Sequence, residues 1–193
     1  MEQYRRHFIA IVIFAFLVTG CGVPFVFGET YKAGEYQVKA AFIYNFINFV
    51  EWPPQSSFAG SPTITLCIIG DDPFGDALRD LQNETVRGKK LTVKYRSPDD
   101  IRGCNIIFLS ASDKYHASKI VRSVGKSDIL TISDTEESAQ RGIIISFFVE
   151  QNKVRFVINT GAAKRAGLNI SAKLLKLARI LDAAEGSGTS REY

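Results

Sequence analysis

Apolar and polar positions along this chain form blocks whose spacing distinguishes helices from strands. The stretch YQVKAAFIYNFINFVEWPP, residues 36–54, gathers its apolar side chains on one broad arc at about 100° per residue, which predicts a helix stopped by its Trp-Pro-Pro end. Lys39 falls inside that arc. We expect its stem to cover apolar surface while its amine reaches water, and the alternative is an ion pair with a strand-end acid such as Asp71 or Asp72.

The blocks that follow alternate between strand and helix patterns. Nearly continuous apolar runs in TITLCIIG and CNIIFLS predict buried strands, KLTVKYR alternates as a strand with one wet face does, and DILTIS predicts a short strand. Helices are predicted from DDPFGDALRDLQNE, with Asp72 as its N-cap, from DKYHASKIVRSVG, and from the closing stretch NISAKLLKLARILDAA. The segment GIIISFFVEQNKVRFVINT, broken at Gln151 and Asn152, predicts an antiparallel hairpin.

This alternation indicates the fold class. The chain has 193 residues, of which 46% are hydrophobic, and that is enough for one good core. Strands that alternate with helices, two of them apolar on both faces, predict a single α/β domain with a mostly parallel sheet, helices on both faces and an antiparallel edge hairpin.

The N-terminus has the three-part form of an export signal. A basic MEQYRRH precedes the apolar run FIAIVIFAFLVTG, which is short for a membrane span. Either residues 1–28 are removed as a signal peptide, or residues 1–20 are removed and Cys21 becomes a lipidated first residue; an uncleaved anchor is the third alternative. We therefore expect a domain over 29–182 and a flexible polar tail over 183–193, in a protein that works outside the cytoplasm.

The cysteines, the histidines and the net charge limit which kinds of site the protein is expected to have. In an oxidising compartment Cys67 and Cys104 are candidates for a disulfide, with two buried free cysteines as the alternative. The sequence has two histidines and no Cys-x-x-Cys, so no metal site is predicted. The net charge of +4 is small and its basic residues are scattered, which argues against nucleic-acid binding.

Polar residues at the strand ends are the places to look for catalysis, because ligands of such sheets bind at the carboxyl ends of the strands. Those ends carry acids and serines but no acceptor aspartate of a receiver domain, no glycine spacing of a dinucleotide loop or P-loop, and no nucleophile with an orienting base. His116 lies in an amphipathic stretch typical of a solvated face. We predict neither a catalytic residue nor a cofactor.

A partner-binding surface is predicted on the hairpin. Phe147 and Phe148 are adjacent in a strand and so point to opposite faces, and at most one of them points at the core if the other face is uncovered. Glu150 and Arg155 would be rim charges beside the exposed one. The alternative is that helices, the C-terminal one included, cover both faces.

Three motifs in order, VKAAFIYNFINFVEWP, ITLCIIGDDPFG and FVINTGAAKRAGLNISAKLLKLARIL, resemble the YfiR-like family of periplasmic proteins. The resemblance covers roughly residues 36–181. Disulfides occur in members of that type, and Cys67 and Cys104 look like one matching pair, whereas a second bridge has no counterpart here.

The resemblance implies a non-enzymatic periplasmic repressor that binds the sensor domain of an inner-membrane diguanylate cyclase and so controls cyclic di-GMP and biofilm formation. Other relatives accompany sensor kinases, so a sensor kinase is also open as the partner, as is a homodimer. The alternative function is a periplasmic small-ligand sensor or binding subunit, for a kinase or a transporter, that would use the cleft at the strand ends.

Overall fold

The structure is a computed structural model that describes residues 27–181, with side chains from Gly34 onward. Contacts within the chain separate residues up to Lys32 from the unit that begins at Ala33, and the fold below is that of the second unit. Its first helix, α1 (Phe27–Phe49), begins before that boundary and runs into a short strand, β1 (Val50–Glu51).

An eight-stranded sheet forms the centre of the domain. Its order is β10-β8-β7-β6-β5-β2-β4-β3, and the five strands from β7 to β4 are parallel to one another. The strands are β2 (Thr63–Ile69), β3 (Thr85–Val86), β4 (Lys89–Arg96), β5 (Ile106–Leu109), β6 (Leu130–Ser133), β7 (Ile145–Glu150), β8 (Lys153–Asn159) and β10 (Arg179–Leu181). A second small sheet pairs β1 with β9 (Asn169–Ile170).

Short helices connect the strands. They are α2 (Ser57–Gly60), α3 (Asp76–Leu81), α4 (Ala117–Val124), α5 (Thr160–Arg165) and α6 (Ala172–Leu175). Two 3-10 turns, Ala111–His116 and Glu136–Ser138, follow β5 and β6.

The sheet has a separate core on each face, which is why its central strands are apolar throughout. On β2 the side chains of Ile64, Leu66 and Ile68 join the core that packs against α1. The alternate positions, Cys67 and Ile69, join a smaller core with α4. The predicted mostly parallel sheet with helices on both faces is therefore confirmed.

The hairpin between β7 and β8 is present, and its turn explains the break in the sequence pattern. Gln151 and Asn152 have φ values of 50° and 58°, the left-handed pair of a two-residue type I′ turn. The three-residue strand β10 pairs in parallel with residues 157–159, so the last half of β8 has a neighbour and the first half lies at the sheet edge.

The closing helix predicted over NISAKLLKLARILDAA is wrong in extent. Within the described part of that stretch, residues 169–181, only Ala172–Leu175 are helical, and Arg179–Leu181 form strand β10 instead. The apolar stripe fits a helix locally, but pairing with β8 satisfies the same backbone groups while extending the sheet, and tertiary pairing overrides the local preference.

Asp72 is not a helix N-cap, which corrects a second prediction. Helix α3 begins at Asp76 with Gly75 before it, and the Asp72 Oδ1 atom instead accepts a hydrogen bond from the Phe74 N–H at 2.8 Å. That bond spans two residues, as in an Asx turn, and it fixes the chain leaving β2. The second carboxylate oxygen accepts from the hydroxyl of Tyr95 at 2.7 Å.

Candidate functional site

The carboxyl ends of β2 and β5 lie side by side, as the parallel register requires, but they are closely packed against each other. Gly70 has φ of +88°, and a Cβ there would lie 2.8 Å from Ser112 Oγ and 2.9 Å from Asp113 Cβ. Ser112 Oγ accepts a hydrogen bond from the Asp71 N–H at 2.9 Å. The polar residues predicted to line a cleft here therefore bond to one another across the gap between the strands.

At the end of β6, Asp134 lies inside a buried polar cluster with three residues of α1. Lys39 donates to Asp134 Oδ1 at 2.5 Å and also forms an ion pair with Glu35, one helical turn before it. The hydroxyl of Tyr36 donates to Asp134 Oδ2 at 2.6 Å. We call Glu35, Tyr36, Lys39 and Asp134 the α1 cluster.

The expectation that the amine of Lys39 reaches water is wrong. Only 3% of Lys39 is exposed, and its amine lies 4.4 Å from the centre of the Tyr36 ring. A strand-end acid does pair with it, as the alternative held, but that acid is Asp134 rather than Asp71 or Asp72. The first turns of α1 lie beside the end of β6, where Asp134 follows the strand, and further along the helix Phe42 and Phe46 contact Phe147 on β7.

The surroundings of Tyr36 in the α1 cluster favour the neutral, protonated form of its phenol. Burial and the hydrogen bond to the Asp134 carboxylate both raise the pKa of Tyr36 above its ordinary value, since an anionic phenolate would be desolvated and would repel the acid. A lysine and an aspartate that are both almost fully enclosed must be paired, because an isolated buried charge is very costly. The cluster therefore fixes α1 to the end of β6.

His116 has a partner but remains at the surface. Its Nδ1 atom lies 2.6 Å from Asp113 Oδ1, and 44% of its side chain is exposed. Among the described residues, no group of three or more histidine, cysteine, aspartate or glutamate side chains is placed to hold a metal ion.

Cys67 and Cys104 form the disulfide predicted from the sequence. Their Cα atoms lie 5.8 Å apart, and the bridge joins β2 to the residue that precedes β5 by two positions. Both cysteines are buried among the residues that pack against α4. Cys21, the candidate for lipidation, lies outside the described residues, as do the predicted signal segment up to residue 26 and the tail over 183–193.

The two phenylalanines of the hairpin separate as strand geometry requires. Phe147 is fully buried and lies 5.7 Å, ring centre to ring centre, from Phe46 of α1. It belongs to the core and is removed from the candidate surface. Phe148 is half-buried and points to the opposite face, where Arg155 of β8 stands directly opposite it.

An arginine that the sequence analysis missed organises this outward face. Arg179 of β10 places its guanidinium 4.2 Å from the centre of the Phe148 ring and donates to Glu150 at 2.9 Å and to Glu136 at 2.5 Å. Arg155 completes the set at 3.7 Å from Glu150. We call Phe148, Glu150, Arg155 and Arg179 the hairpin face.

No sequence signal pointed to Arg179, because the stretch around it has helical periodicity, and in a helix that residue would not lie beside Phe148. The hairpin face combines a partly accessible aromatic ring with paired charges at its rim, the composition typical of a protein-binding surface.

Among the described residues, no helix is both long enough and apolar enough to cross a membrane.

Comparison with solved structures supports the fold. A conserved domain protein from Vibrio cholerae O1 biovar El Tor strain N16961 matches with a TM-score of 0.50 and 12% identity, over 75% of this chain and 59% of that one. The ABC domain in complex with L-Trp from Streptococcus pneumoniae matches with the same score and identity, over 76% of this chain and 60% of its own. The chain thus spans about three-fifths of the length of these structures, and the likeness concerns the fold alone.

Comparison with protein families is more specific. The model of the YfiR/HmsC-like family matches residues 36–179, a span that runs from Tyr36 of the α1 cluster to Arg179 on the hairpin face and includes the Cys67–Cys104 bridge. This chain therefore belongs to the YfiR/HmsC-like family.

Proposed function

We propose that this protein is a non-enzymatic periplasmic regulator that binds and represses the sensor domain of an inner-membrane signalling enzyme. Membership of the YfiR/HmsC-like family supports a diguanylate cyclase as that enzyme, with cyclic di-GMP as the output. A sensor kinase is the partner to test second.

The observation that carries the proposal is the outward position of Phe148. On the opposite side of the same strand, Phe147 has its place in the core against α1, so packing of that core gives no reason for a second large aromatic side chain beside it. Aromatic and arginine side chains with paired carboxylates supply the anchors and the rim of a protein interface. The four residues of the hairpin face offer this combination.

Two observations support the periplasm as the compartment. Cys67 and Cys104 form a disulfide. Disulfides persist in oxidising compartments and are uncommon in the cytosol. The export signal predicted over the first residues agrees with it, whether the chain is cleaved before Glu29 or is anchored through Cys21.

The strand ends give less support to a small-ligand sensor. At the end of β2 the space is taken up by Ser112 and Asp113 against Gly70, and at the end of β6 by Lys39 against Asp134. Ser112 accepts a hydrogen bond from the Asp71 N–H and Lys39 pairs with Asp134, so a ligand would have to displace these contacts. We therefore place the function on the hairpin face.

The test is binding of the purified mature protein to the purified periplasmic regions of the inner-membrane diguanylate cyclases of its own organism, measured by calorimetry. Phe148→Ser should abolish binding while the melting temperature stays close to that of the wild type. The control is Tyr115→Ser, because Tyr115 is a 75% exposed aromatic side chain on another part of the surface. Equal affinity of the wild type and Phe148→Ser would rule out the hairpin face as the binding surface, and no binding to any of these cyclases or to a sensor kinase of the same organism would rule out the proposed function.

A further inference from the structure

Within residues 27–181, the first half of β8 leaves hydrogen-bonding groups of its backbone without a partner at the edge of the sheet. The two-residue turn makes Glu150 and Lys153 a hydrogen-bonded pair, and the pattern alternates along an antiparallel ladder. Val154 therefore turns its N–H and C=O away from β7. Strand β10 pairs only with residues 157–159, so within the described part of the chain Val154 has no neighbour on that side.

The segment that leads into β10 does not fill this edge. The N–H groups of Leu177 and Ala178 donate back to Leu174 and Leu175 in α6, at 3.1 and 3.2 Å, rather than to β8. Leu177 is 67% exposed and Ile180, on β10 itself, is 39% exposed. An open edge flanked by exposed apolar side chains is a template for another extended segment.

Charge specifies what kind of segment fits. Residues 142–181 contain seven basic residues and one acidic residue, Glu150, although the whole chain has a net charge of only +4. Glu150 is already paired with Arg155 and Arg179. Lys153 on the edge itself, and Lys173 and Lys176 in the segment that leads into β10, make no ion pair with any residue that the structure describes. Among the described residues, the edge and that segment therefore carry unbalanced positive charge.

We propose that the open edge of β8, residues 153–156, accepts an extended acidic segment of the partner as an added strand. Main-chain hydrogen bonds to Val154 would supply affinity, and the lysines would select acidic side chains. A second copy of this chain fits poorly, since antiparallel pairing of two such edges would bring Lys153 and Arg155 near the same cations of the other copy. The inference rests on the proposed function, because it names how that partner is held.

Proline substitution isolates the backbone contribution. Val154→Pro removes the outward N–H and leaves the bonds between β7 and β8 in place, whereas Val154→Ala keeps the N–H and serves as the matched control. Affinity is measured for the purified periplasmic region of the cyclase. We expect Val154→Pro to bind about tenfold or more weakly than Val154→Ala, since a partner carbonyl is left unpaired. Equal affinities overturn the added strand while leaving the proposed function intact.

Hydrogen exchange on the wild-type protein tests the same inference without a substitution. The Val154 amide should exchange fast in the free protein and at least about tenfold more slowly in the complex. An amide that stays fast in the complex overturns the proposal. So does one that is already slow in the free protein, because then the tail of this chain or a second copy holds the edge; deletion of residues 182–193 and dilution tell these two apart.

Charge reversal tests the chemistry of the segment. Lys153→Glu combined with Lys176→Glu should weaken binding about tenfold or more and flatten its dependence on salt. The control is Lys90→Glu with Lys94→Glu, two exposed lysines on β4 near the other edge of the sheet. Equal effects of the two double variants would show that only net charge matters and would overturn the acidic segment.

Discussion

Lys39 is a cation enclosed between two carboxylates, and this arrangement makes its substitution informative. Lys39→Met would leave Asp134, whose side chain is 3% exposed, without its counter-charge. We expect the free energy of unfolding to fall by about 3 to 5 kcal/mol in urea denaturation. Adding Asp134→Asn to Lys39→Met should recover part of that loss, and a Lys39→Met protein as stable as the wild type would show that the cluster does not fix α1.

Tyr36 gives the α1 cluster a dependence on pH. Its pKa is raised in the folded state, so between the unfolded pKa near 10 and the higher folded pKa the native state holds a proton that the unfolded chain has lost. The stabilisation is present below about pH 10 and declines as the pH rises further. The stability difference between the wild type and Tyr36→Phe should therefore shift against the wild type above that pH, in denaturation curves at matched pH values. A constant difference would contradict the assignment.

Single residues also show where sequence reasoning is limited. Phe147 and Phe148 were correctly assigned to opposite faces, because alternation in a strand is a local property. The partner of Lys39 could not be identified, because three acidic strand ends were available and the choice depends on which strands α1 crosses. That crossing is set by the packing of Phe42 and Phe46 on the hairpin, which no local pattern encodes.

At the scale of elements, the disulfide between β2 and the start of β5 has a calculable effect. It closes a loop with a sequence separation of 37 residues, and replacing both Cys67 and Cys104 by alanine should lower the free energy of unfolding by about 3 to 4 kcal/mol. Chemical denaturation of oxidised wild type and the double variant measures the difference. The control is reduced wild type, which should match the variant, and equal stability of all three would contradict the expectation.

The elements that sequence reasoning predicted well are those with a strong internal period. Helix α1, the buried strands β2 and β5, and the hairpin all follow from apolar spacing and turn residues. The C-terminal segment did not, because β10 exists only through pairing with β8, and its residues satisfy a helical pattern equally well. The prediction of the hairpin face was incomplete for the same reason, since Arg179 reaches Phe148 only once that strand has formed.

At the scale of the whole molecule, apolar and charged residues are unevenly distributed. The α1 side of the sheet is apolar and its end is closed by the buried α1 cluster. Residues 142–181, with seven basic residues and one acidic residue, have a net charge of 7 − 1 = +6, which is more positive than the +4 of the whole chain. The hairpin face and the open edge of β8 lie in this positive region. This distribution favours contact with another protein over chemistry at the strand ends.

The measurement that tests the central claim most directly is the level of cyclic di-GMP in cells. Deleting the gene for this protein should raise that level, the wild-type gene and Tyr115→Ser should restore it, and Phe148→Ser should fail to do so although the protein is exported and folded. A level that stays unchanged on deletion, in cells where the cyclase that binds the protein is present and active, would contradict repression of that cyclase.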